Sequence, residues 1–188
     1  TGVKVTADIL HAECPDAVIL AVGAHEKKIP IPGIEHAIPA LDVFREGTVI
    51  GDKVVMVGGG LVGAETGLQL AHTGHEVTVV EMIKRIAHES CGIYRRGLME
   101  ALDDAKVQCY VKTRCKEIRA DGIVIESEDG QEQFIGADTV VYALGMDPND
   151  TSDLEAAVPG ATVYKIGDCS KVGKIGNATR SGFDAAIA

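Results

Sequence analysis

Gly58, Gly60 and Gly63 stand in the spacing G-x-G-x-x-G, directly after the apolar run Lys53–Val57 and before a stretch with helical periodicity. If the ligand is a dinucleotide, each glycine has a physical task. Gly58 allows a tight turn out of a strand, and Gly60 lets the backbone approach a pyrophosphate without an intervening Cβ. Gly63 permits a helix to pack closely on that strand. The pyrophosphate then rests on backbone N–H groups around Gly59, Leu61 and Val62, where a helix N-terminus favours negative charge. A plain structural turn also satisfies the glycine pattern. The preceding strand, the following helix and an acid closing the next strand favour the nucleotide. That acid is Glu81, 23 residues after Gly58. A carboxylate there accepts hydrogen bonds from the adenosine ribose hydroxyls and repels a 2′-phosphate, so NAD(H) is expected over NADP(H). Met82 and Arg85 follow at the adenosine end. Lys84 and Arg85 also read as the solvated start of the next segment.

The remaining reactive residues are less organised. The five cysteines, Cys14, Cys91, Cys109, Cys115 and Cys169, form no C-x-x-C pair and read as reduced thiols of a cytoplasmic protein, most of them small core residues. No His, Cys, Asp and Glu have metal-ligand spacing, and no general acid, base or nucleophile can be named. A net charge of −10 argues against nucleic acid and against an anionic membrane surface. No apolar run reaches the roughly 20 residues that span a bilayer.

Positioning the glycine loop requires a buried parallel sheet. Aromatics are only 4% and Trp is absent, so Val, Ile, Leu and Ala must build the core, as such sheets require. The spacing predicts strands at Thr1–Thr6, Asp16–Gly23, Lys53–Val57, Glu76–Glu81, Asp138–Ala143 and Thr162–Ile166. Helices are expected at Asp8–Glu13, Leu41–Glu46, Gly60–His72, Tyr94–Lys106 and Thr179–Ala188. Between them, Val107–Val111, Lys116–Arg119, Gly122–Ser127 and Glu132–Ile135 alternate as strands, with turn signals at Asp121-Gly122 and Asp129-Gly130. An antiparallel meander of three or four strands is therefore expected in place of one crossover helix. Asp16–Gly23 and Asp138–Gly145 share the pattern D-x-V-x-x-A-x-G. Two strands delivering a glycine in like context suggest two related nucleotide-binding units, one nested in the other.

With these features assembled, the chain resembles the C-terminal flavoprotein region of the NADH:flavin oxidoreductases, a group that includes 2-enoate reductase, 2,4-dienoyl-CoA reductase and trimethylamine dehydrogenase. The resemblance is carried by PDAVILAVGA at Pro15–Ala24 with Ile31–Glu35, VVMVGGGLVGAETGLQLA at Val54–Ala71, and YKIGDC at Tyr164–Cys169. It implies an α/β fold in which a Rossmann-like NAD(H) domain, 49–147, is inserted in a truncated FAD domain, 1–48 and 148–188. Gly23 would lie at the FAD-domain strand preceding the insert. Gly167-Asp168 would be the later FAD motif, the carboxylate accepting a hydrogen bond from the ribityl chain. Glu65 matches a position that holds the nicotinamide carboxamide, although a solvated helix residue is the competing reading. Ala143 and Gly145 match the loop beside the nicotinamide half.

The resemblance further implies hydride transfer from NADH to FAD. In the intact parent, electrons would pass through a 4Fe-4S cluster to FMN, and so to an activated C=C bond. The FMN barrel and the Fe–S region would be the partners of this chain, and an oligomer is compatible with that. The first FAD glycine loop has no counterpart here, so a piece that binds NADH and holds FAD poorly is expected; intrinsic flavin absorbance would overturn that. Two other readings stay open: a flavin-linked disulfide or oxygen reductase, and a non-catalytic module that holds ADP.

Overall fold

In chain order, the computed structural model, which describes residues 1–188, runs α1 (Ala7–Glu13), β1 (Ala17–Leu20), β2 (Ala24–Glu26), β3 (Ala37–Pro39), β4 (Lys53–Val57) and α2 (Leu61–His72). It continues with β5 (Glu76–Val80), α3 (Gly92–Asp104), β6 (Gln108–Tyr110), β7 (Thr113–Arg119), β8 (Gly122–Ser127) and β9 (Glu132–Gly136). β10 (Thr139–Tyr142), β11 (Met146–Pro148), α4 (Ser152–Ala156), β12 (Thr162–Lys165) and α5 (Ile175–Ala186) complete it. The chain divides into two compact units: residues 28–144, and the flanks 1–27 and 145–188 together. The insertion thus begins at Lys28 and returns at Leu144. Residues 28–48, assigned to the flank from sequence, cluster with the insert because β3 pairs with β10.

Residues 28–144 are built on a fully parallel sheet in the order β3-β10-β4-β5-β6. Every residue of Val54–Val57 is apolar because both faces of β4 are covered. Successive side chains alternate across the sheet. Val54 and Met56 therefore join one core cluster with Ala64 and Leu70 of α2 and Leu98 and Leu102 of α3. Val55 and Val57 join the other, with Ile118, Ile123 and Ile125 of the meander. Val141 and Val140 divide between the same two clusters on β10. Burying each such side chain is worth about 1.5–3 kcal/mol, so this sheet has the means to hold a loop rigidly.

The meander is three-stranded, β7-β8-β9, antiparallel throughout. The fourth candidate, Val107–Val111, instead contributes β6 to the main sheet, parallel to β5. On its polar side Lys112 pairs with Glu128, Arg114 with Glu126 and Lys116 with Glu132.

The flanks form a smaller unit. β1 and β12 pair in parallel, Ala17 opposite Thr162 through Leu20 opposite Lys165. β2 and β11 pair antiparallel, Ala24 opposite Pro148. The two D-x-V-x-x-A-x-G segments therefore share a second feature. Gly23 (φ 75°) and Gly145 (φ 98°) each turn the chain out of the apolar segment, and the short strands that follow them pair with each other. Asn149 ties the turn further, its N–H donating to the Gly23 carbonyl (3.1 Å) and its side-chain amide to the Val22 carbonyl (2.8 Å).

Two expected elements are absent. Thr1–Thr6 is exposed, irregular chain: Val3 and Val5 alternate as in a strand but have no neighbouring strand to pair with. Leu41–Glu46 is not an α-helix: only a single 3-10 turn, Ala40–Asp42, forms there, because Pro39 and Gly47 (φ 86°) bound the segment too tightly for more. The last helix starts at Ile175, four residues before the expected Thr179.

Candidate functional site

The strand order places a crevice before any ligand is considered. From β4 the chain moves to β5 and β6 on one side, then returns as β10 on the other side of β4. At such a switch point the connections diverge at the carboxyl ends of the strands, which is where open α/β sheets bind ligands. Gly58 and Ala143 lie at those ends of β4 and β10, joined by the Ala143 N–H bond to the Val57 carbonyl (2.8 Å).

Two glycines of the loop are there of necessity. Gly58 adopts φ 100°, and a Cβ on it would fall 2.4 Å from the Ala143 carbonyl oxygen. A Cβ on Gly63 would fall 1.9 Å from the Gly58 carbonyl oxygen, so the start of α2 is pressed against the turn that precedes it. The hydrogen-bond ladder of α2 begins with Ala64 N–H on the Gly60 carbonyl (2.9 Å). The N–H groups of Leu61, Val62 and Gly63 consequently have no intrahelical acceptor and face the end of the helix. Val62 is half exposed, while Gly63 and Ala64 are buried.

Glu81 ends β5 and is only 7% exposed. Its Oε2 accepts the Gly59 N–H (2.7 Å) and its Oε1 accepts the Ile83 N–H (2.9 Å). The carboxylate therefore fixes the second glycine of the loop. An ionised carboxylate offers about four lone-pair positions, so acceptor capacity remains for ribose hydroxyls. Met82 and Arg85 follow as exposed side chains, as does Lys84.

Glu65 lies on the exposed side of α2 and accepts the Tyr94 hydroxyl (2.5 Å). That hydrogen bond, aided by the nearby negative charge, raises the Tyr94 pKa above the ordinary tyrosine value. Three residues that sequence reasoning passed over sit against the loop: Ala87, Glu89 and Tyr94. Ala87 N–H donates to the Gly59 carbonyl (2.7 Å), and Glu89 Oε1 accepts the Leu61 N–H (2.5 Å). Their contacts depend on a positive φ at Ala87 (49°) that no motif announces.

The loop fits the phosphate of a dinucleotide on an internal sign. A carboxylate oxygen, Glu89 Oε1, already occupies the helix N-terminus and would lie 3.1 Å from a Cβ on Gly60. The position thus accepts an anionic oxygen on the free N–H of Leu61.

The expected FAD residues gather in the other unit. Gly23 follows β1 and Gly167-Asp168-Cys169 follows β12, at the carboxyl ends of two paired parallel strands. Gly167 adopts φ 61° and its N–H donates to Ser181 Oγ (3.0 Å), while Asp168 Oδ1 accepts the Gly173 N–H (3.0 Å). Cys169 is buried, its thiol against the carbonyls of Leu20 and Ile166 (both 3.1 Å), a structural placement. Gly145 belongs to this unit, whereas Ala143 belongs to the unit with the glycine loop.

Comparison with known proteins gives one family and consistent relatives. Residues 4–182 match the family described as pyridine nucleotide-disulphide oxidoreductase. The chain is 37% identical over 190 residues to bilirubin reductase of Mediterraneibacter gnavus, covering 98% of this chain and 29% of that protein. It is 36% identical over 195 residues to NADH oxidase of Thermoanaerobacter brockii, covering 99% and 30%. Among solved structures, 2-naphthoyl-CoA reductase in complex with 2-naphthoyl-CoA superposes with a TM-score of 0.87 at 32% identity, over 96% of this chain and 28% of that one. The chain therefore spans less than a third of the length of these relatives. No helix is long and apolar enough to cross a membrane.

Proposed function

The chain belongs to the pyridine nucleotide-disulphide oxidoreductase family, and from that premise we propose that it is the NADH-receiving part of a larger flavin-dependent oxidoreductase. The observation that carries this reading is the Gly58–Gly63 turn at the sheet's switch point, with buried Glu81 bonded to Gly59 N–H. Residues 28–144 hold the dinucleotide, and the flanks contribute to an FAD site through Gly23, Gly167 and Asp168.

Hydride transfer from NADH to FAD is the chemistry the bound cofactors supply. The chain's residues bind and orient. The N–H groups of Leu61, Val62 and Gly63 receive the pyrophosphate, with the helix dipole favouring its charge. Glu81 receives the adenosine ribose and, as a buried anion, rejects a 2′-phosphate. Met82 and Arg85 flank the adenosine end. Glu65 orients the nicotinamide carboxamide, and Ala143 and Gly145 border the nicotinamide half. Asp168 accepts from the ribityl chain of FAD.

The similarity to reductases of conjugated substrates supports a parent that carries electrons onward through Fe–S and FMN groups to an activated C=C bond. The reduced cysteines suit a cytoplasmic setting. Mixing the intact parent anaerobically with NADH tests the reading. Loss of the oxidised-flavin absorbance within the turnover time is expected, and flavin left oxidised would overturn it.

A further inference from the structure

The segment between β5 and α3 is fastened to the glycine loop and the start of α2 at Ala87 and Glu89, and α3 adds a contact to α2 through Tyr94. Ile86 and Ala87 are buried beneath the loop, and Ala87 donates to the Gly59 carbonyl (2.7 Å). Two residues on, Glu89 Oε1 accepts the first peptide N–H of α2, that of Leu61 (2.5 Å). Its other oxygen, Oε2, lies 3.0 Å from His88 Nδ1. Five residues further, the Tyr94 hydroxyl donates to Glu65 (2.5 Å). The anchor is apolar and fixed, whereas His88, Glu89 and Tyr94 are exposed.

A helix N-terminus favours one anion in front of it, and two anions cannot share that place. We propose that the Glu89 carboxylate is an internal competitor for the dinucleotide pyrophosphate. It caps α2 and must swing out, with residues 88–91 as the moving part, for the cofactor to dock. This rests on the NAD(H) reading of the loop. The competitor lowers apparent affinity by the fraction of molecules in which the site is already taken. It thereby makes NAD+ release easier as well, since the carboxylate returns to the vacated N–H.

The test uses the full protein that carries this chain, titrated with NADH by calorimetry, and compares Glu89→Gln with Glu100→Gln. Glu100 is an exposed acid of α3, so its variant removes the same charge without touching the loop. Glu89→Gln is expected to bind NADH about three- to tenfold more tightly. Its nucleotide-free form is expected to melt at a lower temperature, because the helix loses its charged cap. Glu100→Gln is expected to change neither. Unchanged or weaker NADH binding by Glu89→Gln overturns the proposal, as does equal tightening in both variants. Failure of the unmodified protein to bind NADH at all overturns the NAD(H) reading itself, and this inference with it.

Discussion

Residues 28–144 and the flanks 1–27 and 145–188 both bring glycines to the carboxyl ends of parallel strands, but on very different supports. The insert has five parallel strands, helices on one face and a meander on the other, and two separate core clusters. The flanks have two parallel strands; α5 buries no residue, and Ile19, Phe183 and Ile187 stand 50%, 59% and 69% exposed. In the insert, a Cβ on Gly58 or Gly63 would fall 2.4 or 1.9 Å from a backbone carbonyl oxygen. In the flanks, Gly23 has nothing within 4 Å of where a Cβ would be. The glycine loop Gly58–Gly63 is therefore a close-packed turn, whereas Gly23 and Gly145 are open turns. Preorganisation comes from the core behind the loop, not from the glycines.

The sharpest way to break this comparison is to substitute one glycine in each unit. Gly63→Ala sets a methyl 1.9 Å from the Gly58 carbonyl oxygen, which no rotamer relieves. A destabilisation of about 4 kcal/mol or more is expected, with NADH binding lost, read by urea denaturation and calorimetry. Gly23→Ala meets open space and bears only the left-handed backbone penalty, about 1–2 kcal/mol. Equal losses would show that the two loops are supported alike.

Core truncations sharpen the contrast at a smaller scale. Met56, with 0% exposure, contacts the helical cluster, and Met56→Ala is expected to cost about 2–5 kcal/mol. Ile19→Ala, at a half-exposed position in the flanks, should lie within about 0.5 kcal/mol of the parent. Both are read from denaturation midpoints at constant slope.

Thiol reactivity reads burial within residues 28–144 without changing the protein, because exposed Cys91 and part-buried Cys115 both lie there. Burial pushes the Cys115 thiol up to about 11, from an ordinary value of 9.0. Its thiolate is therefore scarce at pH 8, and rises only as pH approaches that value. Exposed Cys14 and Cys91 should be alkylated first at pH 8, and part-buried Cys115 and buried Cys169 well after them, as followed by peptide mass analysis. A similarly small effect belongs to the polar side of the meander. Arg114→Ala removes an exposed partner of Glu126 and is expected to change stability by less than about 1 kcal/mol.

How much was legible in the residues follows the same division. Lys53–Val57, the glycine loop, α2 and Glu81 could be read because each position is dictated by backbone geometry or by two-sided burial. Thr1–Thr6 misled because alternation alone carries no information about a pairing partner. β2 and β11 have no local signal because each is three residues long and exists only through its pairing with the other, Met146–Pro148 against Ala24–Glu26. The strap over the loop was invisible for a related reason. Ala87 adopts a left-handed φ without being glycine, and Glu89 reaches Leu61 from a spacing that no motif fixes. The sequence-based boundary at residue 48 differs from the structural division because β3 enters the sheet from a stretch that is rich in proline and reads as a connection.

The central claim is that the loop of residues 28–144 is an NAD(H) site whose selectivity resides in Glu81. Calorimetric titration of the protein with NADH and with NADPH, repeated on Glu81→Ala, tests it most directly. NADH is expected to bind more tightly than NADPH, and that preference should shrink in the variant. Equal affinities for the two cofactors in the unmodified protein would contradict the account.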